Sequence, residues 1–354
     1  MIDSKDISVV VQGAINKEET PKCLSSIRKY LPNAEIILST WEGSDVTGLD
    51  YDILVFNQDP QAFVQLQTKK KTYYNNLNRQ LLSTQNGLKK VERKYAMKFR
   101  SDLILSGTMF LKYFDMFQAR TDKYNLFNRK ILTSTLFTRY EQKFKKEFIK
   151  IPFHISDWWF FGLTEDIKKY FLDTPLVEEP SFTYYFNLPE NQDKVSPYNK
   201  NSFKFAPEQY FGYTPFANNF EDIYMEDSSD TSDELFEKFR HCLINNFIIL
   251  ENKQSGIYLN KYCYSKNEKM LGENYLSLYT FARFEMEYKQ LCDNNYILNN
   301  RNYEVYNNKK KAYRYGQMLK HYYAAFMPNV KFLKRLEELF ISFPFYAIIY
   351  LLKK

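Results

Sequence analysis

The stretch ISVVVQGAI, residues 7–15, decides the fold class, because its short apolar run that ends in a turn predicts a buried strand. TPKCLSSIRKYLP, residues 20–32, then predicts a helix with Thr20 as its N-cap and a proline near each end. AEIILSTW, residues 34–41, predicts the next strand. A strand, helix and strand in this order predict two parallel strands joined by a crossover helix.

The alternation continues with a strand at 50–57, a helix at 75–94 and a strand in YAMKFRSDLIL, residues 95–105. It predicts an α/β fold with a mostly parallel, Rossmann-like sheet flanked by helices. In such open sheets ligands bind beyond the carboxyl ends of the strands. Three polar clusters lie at these ends: Gln12-Gly13, Ser39-Thr40-Trp41 and Arg100-Ser101-Asp102.

The second half of the chain is predicted to be more varied. The expected elements are a basic helical stretch at 110–150, a strand and a helix capped at Thr164 within 158–171, an irregular loop at 175–205, a helix from Pro207, a solvated acidic loop at 226–234, a helix at 233–246 and a hairpin formed by FIILE and SGIYLNKY. From residue 267 onward the pattern is helical. It divides the chain into an α/β domain, residues 1–265, and a C-terminal helical region, residues 266–354.

Composition narrows the classes of partner. The 354 residues carry a net charge of +7, from 49 basic and 42 acidic side chains, which suits anionic ligands, and there is no basic stripe for nucleic acid. The four cysteines are widely spaced, which favours a reduced compartment over disulfides or zinc. With no signal-peptide pattern at the N-terminus, a cytoplasmic protein is expected.

Six stretches, read in order, closely resemble the WavE family of bacterial lipopolysaccharide and capsule synthesis proteins. They are ISVVVQGAI, CLSSIRKYLPNAEIILSTWEGSDVTGLDYD, NLNRQLLSTQNGLKK, YAMKFRSDLIL, FHISDWWFFGL and APEQYF. The resemblance covers residues 6–265 and implies a GT-A glycosyltransferase. Its donor would be a nucleotide sugar, with a UDP-hexose favoured and galactofuranose one candidate. Its acceptor would be a lipid-linked or oligosaccharide glycan.

Residues for the donor follow from what a nucleoside diphosphate needs. The Gln12-Gly13-Ala14 turn is expected to approach the nucleoside closely, and Thr40 and Trp41 to bond and stack on it. A guanidinium at a helix start suits phosphate, which singles out Asn78 and Arg79. Lys98, Arg100, Ser101 and Asp102 are expected at the diphosphate, although an ordinary turn, a surface arginine and a structural ion pair would give the same patterns.

A divalent metal is the expected cofactor of a GT-A enzyme, which binds it through a DxD motif. Here the tripeptide is Arg100-Ser101-Asp102, so the first acid is replaced. Asp102, with His154 as a second ligand, would hold Mn²⁺ or Mg²⁺. Alternatively, the guanidinium of Arg100 takes over charge neutralisation and Asp102 bonds the ribose.

Two carboxylates compete for the role of catalytic base. Asp157 lies in HISDWW before a strand, and Glu208 lies at a predicted helix start. In inverting GT-A enzymes the base commonly lies at such a helix start, which favours Glu208 and leaves Asp157 to bind sugar hydroxyls. A Pro-Glu pair is also simply a good way to begin a helix.

The C-terminal stretch FISFPFYAIIYLL, residues 340–352, is flanked by lysines and arginines. It predicts peripheral contact with the inner face of the cytoplasmic membrane, or else packing on the catalytic domain or a homodimer interface. Two alternatives to a hexosyltransferase stay open at this point. They are a sugar-phosphate transferase and a catalytically inactive sugar-binding scaffold of a polysaccharide assembly complex.

Overall fold

The computed structural model describes residues 2–67, 72–144, 147–189, 196–198, 202–259, 277–299, 304 and 307. The strands are β1 (Ile7–Gln12), β2 (Glu35–Trp41), β3 (Ile53–Asn57), β4 (Phe63–Gln67), β5 (Thr72–Asn75), β6 (Tyr95–Arg100), β7 (Leu103–Leu105), β8 (Ile131–Ser134), β9 (Glu141–Phe144), β10 (Glu147–Lys150), β11 (Trp159–Leu163), β12 (Phe247–Leu250) and β13 (Ile257–Leu259). The α-helices are α1 (Glu19–Tyr30), α2 (Leu77–Leu88), α3 (Phe110–Phe114), α4 (Thr164–Leu172), α5 (Glu179–Phe182), α6 (Pro207–Ala217), α7 (Asp233–Asn246), α8 (Asn252–Ser255) and α9 (Phe281–Leu291). Short 3₁₀ turns lie at Ser4–Asp6 and Tyr184–Phe186.

A seven-stranded sheet in the order β12-β8-β11-β6-β1-β2-β3 forms the centre of the molecule. Strand β1 pairs in parallel with both β2 and β6, β2 with β3, and β12 with β8. Strand β11 is antiparallel to its two neighbours, β6 and β8. The mostly parallel α/β sheet flanked by helices is therefore confirmed, and it is consistent with a GT-A-like fold.

Burial explains why the sheet lies at the centre. Every residue of β1 is buried, as expected for a strand covered on both faces. Helix α2 packs closely on β1 and β2 at Gly87, where an added Cβ would lie 2.3 Å from Cγ1 of Val10. On the other half, α9 packs on β12 and α7, and Phe117 contacts the rings of Phe281, Phe284 and Tyr288. None of the helices in the described ranges is long and apolar enough to cross a membrane.

Several predicted boundaries are wrong for identifiable reasons. Helix α1 begins at Glu19, because the side chain of Asn16 accepts hydrogen bonds from the backbone N–H of Glu18 and of Glu19, and Thr20 lies inside the helix. Thr164 likewise lies inside a helix, as the first residue of α4, with Leu163 as the N-cap. The stretch predicted as helical at 110–150 contains only the short α3 and then β8, β9 and β10.

Two stretches that the sequence predicts as single units each form two strands, and these strands pair with different neighbours. YAMKFRSDLIL forms β6 in the central sheet and then β7, which pairs with β13. The expected FIILE–SGIYLNKY hairpin does not form, because β12 joins β8 instead.

The acidic loop is only partly solvated, since Asp227 is buried and accepts hydrogen bonds from the hydroxyls of Tyr184 and Tyr185. The domain boundary at 265 and the stretch 340–352 lie outside the described residues.

Candidate functional site

The reversed direction of β11 brings two distant motifs together at one edge of the sheet. Trp159, at its first residue, pairs with Phe99 near the end of β6. The HISDWW loop that precedes β11 therefore lies beside Arg100-Ser101-Asp102, at the edge where the parallel strands end. This is the edge that the sequence predicts for ligand binding.

The turn after β1 is held closely against the end of β6. Gly13 has a φ of 122°, and an added Cβ would lie 3.1 Å from the hydroxyl oxygen of Ser101. That hydroxyl donates to the carbonyl oxygen of Ala14 at 2.9 Å. The side-chain oxygen of Gln12 accepts a 2.8 Å hydrogen bond from the hydroxyl of Ser83. Gln12, Gly13 and Ala14 therefore form a compact turn that is held against Ser83 and Ser101.

The end of β2 lies next to this turn, since the N–H of Gly13 donates to the carbonyl oxygen of Ser39 at 3.1 Å. Thr40 is buried, and its hydroxyl lies 3.3 Å from that of Ser44. Trp41 is partly exposed at the end of the strand. An indole in this position can stack on a nucleobase, as the sequence predicts.

Asn78 and Arg79, at the start of α2, are engaged with other parts of the chain. The side-chain amide of Asn78 donates to the carbonyl oxygen of Val177 and accepts from its N–H, both at 2.8 Å. Arg79 bonds both carboxylate oxygens of Asp59, at 2.7 and 2.6 Å. A phosphate at this place would have to compete with these bonds, so the donor role of the two residues stays a prediction.

Lys98 is fully buried in β6, and its ammonium group donates to the backbone carbonyl oxygen of Asp157. The side-chain amide of Gln80 donates to the same oxygen at 3.0 Å. Burial lowers the pKa of Lys98 to about 7, although the charge of Asp157 acts in the opposite direction. The sequence predicts contact with the diphosphate for Lys98, and in the structure its ammonium group fixes the backbone of the HISDWW loop.

Arg100 and Asp102 form an ion pair at the end of β6. The guanidinium donates to both carboxylate oxygens, at 3.1 and 2.8 Å, and lies 5.7 Å from the ring centre of the neighbouring Trp158. About a quarter of each side chain of the pair is exposed, at 26% and 22%. The pair is accessible from the sheet edge and offers a guanidinium to an anionic ligand.

Glu208, the second residue of α6, faces His154. Its carboxylate oxygen lies 3.8 Å from Nε2 of His154, and 23% of its side chain is exposed. Nδ1 of His154 lies 2.9 Å from the carbonyl oxygen of Phe137, so this nitrogen carries the hydrogen and donates it, and Nε2 is left as an acceptor. A ligand hydroxyl carries one hydrogen and can donate it to only one of these two acceptors.

The electrostatics make Glu208 a proton acceptor near neutral pH. Burial, followed by the charge of Asp157, raises its pKa to about 7. Burial also lowers the pKa of His154 well below its ordinary value, so the imidazole is neutral. A carboxyl group tuned to the working pH is what general base catalysis requires. Glu208 thus has an electrostatic environment that suits a base, and the charge of Asp157 contributes to it. The catalytic and sugar-binding roles of the two carboxylates stay predictions.

The start of α6 is fixed to the HISDWW loop by close backbone contacts. Gln209 donates to the carbonyl oxygen of Pro152 at 3.0 Å, and the N–H of Ile155 donates to the carbonyl oxygen of Glu208 at 3.4 Å. Gly212 lies directly on this loop, where an added Cβ would be 2.0 Å from the carbonyl oxygen of Phe153. Only glycine permits this approach.

Two residues of this region are missed by the sequence reasoning. Arg139 lies beside the loop, since its N–H donates to the carbonyl oxygen of His154 at 2.9 Å. The ring of Tyr198 lies 5.6 Å from that of His154. Both fall in segments predicted as helix or irregular loop, where nothing in the sequence connects them to HISDWW.

A metal centre built by protein side chains does not fit these residues. In the described parts of the chain, no three His, Cys, Asp or Glu side chains are grouped to hold an ion. Asp102 is paired with Arg100, and Nε2 of His154 faces Glu208. Metal dependence stays a prediction, and no chemical step below uses a metal.

Comparison with known proteins places the chain in a family. No protein with a curated description matches it. The family model of the WavE lipopolysaccharide synthesis proteins matches residues 7–319, which includes the whole central sheet, the Arg100–Asp102 pair, the HISDWW loop and α6. Since the match covers most of its length, the chain belongs to the WavE family of lipopolysaccharide synthesis proteins.

Proposed function

We propose that the protein is a glycosyltransferase that moves a hexose from a nucleotide sugar, favoured as a UDP-sugar, to a growing lipopolysaccharide or capsule glycan. The observation that carries the proposal is Glu208. It is a partly exposed carboxylate that faces His154, with its pKa raised to about 7. Membership of a lipopolysaccharide synthesis family supports the substrate class.

The donor would lie across the ends of β1, β2 and β6. The Gln12-Gly13-Ala14 turn and the end of β2 would receive the nucleoside, with Trp41 stacked on the base. The guanidinium of Arg100 would leave part of its pairing with Asp102 to bond the diphosphate, whose charge it neutralises. Asp102 would then bond the ribose.

The transfer step follows from Glu208. The acceptor hydroxyl donates its hydrogen bond to the carboxylate of Glu208 and gives its proton to that carboxylate. The hydroxyl oxygen forms a bond to the anomeric carbon, and the bond from that carbon to the diphosphate breaks. The nucleoside diphosphate leaves with the electron pair, stabilised by Arg100. Attack from the side opposite the leaving group inverts the anomeric configuration.

Nucleotide release from UDP-, GDP-, CMP- and dTDP-sugars tests this proposal, because water can replace the acceptor slowly. The wild type should release nucleotide from one donor class, and Glu208→Gln should lose most of that rate. Glu221→Gln, which removes an acid at a position outside the site, is the matched control and should keep it. No release from any donor, together with binding of glycans, would contradict the transferase and favour the inactive sugar-binding scaffold.

A further inference from the structure

Among the described residues around His154, two hydrogen-bond donors lack a hydrogen-bond partner. The guanidinium of Arg139 makes no hydrogen bond or ion pair within the described residues, and its Nε is shielded from water. The hydroxyl of Tyr198 is likewise buried and unpartnered there. Buried polar groups are nearly always bonded, so two exceptions at one place need an explanation.

Both groups belong to the surroundings of the proposed base. Arg139 is fixed to His154 through its backbone N–H, and the ring of Tyr198 lies against the imidazole. Burial raises the pKa of Tyr198 well above its ordinary value, so the phenol stays protonated and can donate. The positive charge of Arg139 is felt by His154, Tyr198 and Glu208. A cation and a hydroxyl donor therefore lie in the surroundings of the carboxylate that we propose as the base.

We propose that Arg139 and Tyr198 form a subsite for an anionic substituent, a carboxylate or a phosphate, on the acceptor sugar. An anion satisfies both donors at once, whereas a neutral hydroxyl leaves the guanidinium charge without a counterion. The assignment to the acceptor, and not to the donor, rests on the proposed role of Glu208 as the base, since the base contacts the acceptor hydroxyl. In the proposed function, Arg100 already binds the donor diphosphate.

Binding of matched sugars tests the subsite. Calorimetry, with UDP present, compares methyl β-glucoside with methyl β-glucuronide and with methyl β-glucoside 6-phosphate, and repeats the set in the galacto configuration. We expect the wild type to bind one anionic sugar at least about tenfold more tightly than its neutral parent. The carboxylate and phosphate arms identify which anion the subsite takes.

Variants separate a binding role from a structural one. Arg139→Gln should abolish the preference for the anionic sugar, Arg139→Lys should retain part of it, and Tyr198→Phe should reduce it. If these residues had a purely structural role, their substitution would weaken the binding of neutral and anionic sugars equally. The ratio of the two affinities is therefore the readout. Lys22→Gln, which removes an exposed cation from α1, controls for net charge and should leave the ratio unchanged.

Two results would overturn the subsite. One is the lack of any preference for an anionic sugar in the wild type, including the absence of binding. The other is an unchanged preference in Arg139→Gln, with a loss of UDP affinity instead. If the protein turned over no donor but still preferred the anionic sugar in a way that depends on Arg139, the transferase proposal would be contradicted and the subsite would be supported.

Discussion

On the β1 side of the sheet edge, which comprises the ends of β1, β2 and β6 and helix α2, polar side chains form hydrogen bonds to other side chains and to the backbone. Ser83 bonds Gln12, Ser101 bonds Ala14 and Asn78 bonds Val177. On the β11 side, which comprises residues 137–139 and 152–158, Tyr198 and the start of α6, Nε of Arg139 and the hydroxyl of Tyr198 have no hydrogen-bond partner within the described residues. These β1-side groups are bonded within the protein, whereas the two β11-side donors are the groups that we propose to bind a ligand.

The largest expected effect comes from Glu208 on the β11 side. Glu208→Gln removes the proton acceptor and should lower the rate of sugar transfer or donor hydrolysis by about 10²–10⁴-fold. Steady-state kinetics would measure it. A rate within a few-fold of the wild type would remove Glu208 from the mechanism.

The same substitution should stabilise the fold, because the folded protein raises the pKa of Glu208 to about 7 and so disfavours its ionised form. Ionisation reduces stability progressively as the pH rises from the unfolded value through about 7. At about pH 8, Glu208→Gln should therefore unfold at a higher temperature than the wild type, and below about pH 4 the difference should vanish. A lower melting temperature at both pH values would show that the loss of rate is a folding defect.

The next largest effect is expected at the contact between α6 and the HISDWW loop. Gly212→Ala places a Cβ against the carbonyl oxygen of Phe153 and should cost about 3 kcal/mol in unfolding free energy, the upper end for overpacking, because backbone must move. It should also lower the rate, since α6 carries Glu208. Gly107→Ala meets no atom within 4 Å and should change stability by less than about 0.5 kcal/mol. Denaturant unfolding measures both, and equal losses in the two variants would contradict the close approach.

Asn78 tests whether the β1 side is a scaffold. Asn78→Ala leaves the N–H and carbonyl groups of Val177 unpaired and should cost about 2 kcal/mol of unfolding free energy. Calorimetric titration with UDP would show whether the residue also serves the donor. A large fall in UDP affinity with unchanged stability would reverse this assignment and support the phosphate role.

The smallest effect is expected for Arg79, whose ion pair with Asp59 is partly exposed. Arg79→Gln should change the unfolding free energy by less than about 1 kcal/mol. If Arg79 leaves Asp59 for the donor, UDP affinity should fall by about tenfold in the same variant. Lys22→Gln, at an exposed ion pair on α1, gives the background for both measurements.

Much of the β1 side could be predicted from the sequence, because its strands and turns are local and follow one another in the chain. The hydrophobic pattern places Gln12, Thr40 and Ser101 at the ends of strands, and the structure has them there. The pairing of Asn78 with Val177 could not be predicted, since 99 residues separate them. Local pattern carries no information about such a contact.

Less of the β11 side can be predicted from the sequence, because its geometry depends on the direction of β11. HISDWWFFG predicts a loop and a strand, yet nothing in it states that the strand runs antiparallel to β6. This reversal is what places Trp158 beside Arg100. Glu208 could be found because a Pro-Glu pair marks a helix start. Arg139 and Tyr198 lie outside any motif, and only tertiary packing brings them to His154.

The pH dependence of donor turnover tests most directly the claim that Glu208 is the base. Below about pH 7 the wild-type rate should rise about tenfold per pH unit and then level off, and the residual rate of Glu208→Gln should lack this acidic limb. Because Lys98 also has its pKa near 7, Lys98→Met is the control and should keep the limb at a reduced rate. An acidic limb that persists in Glu208→Gln, or that disappears in Lys98→Met, would contradict the account.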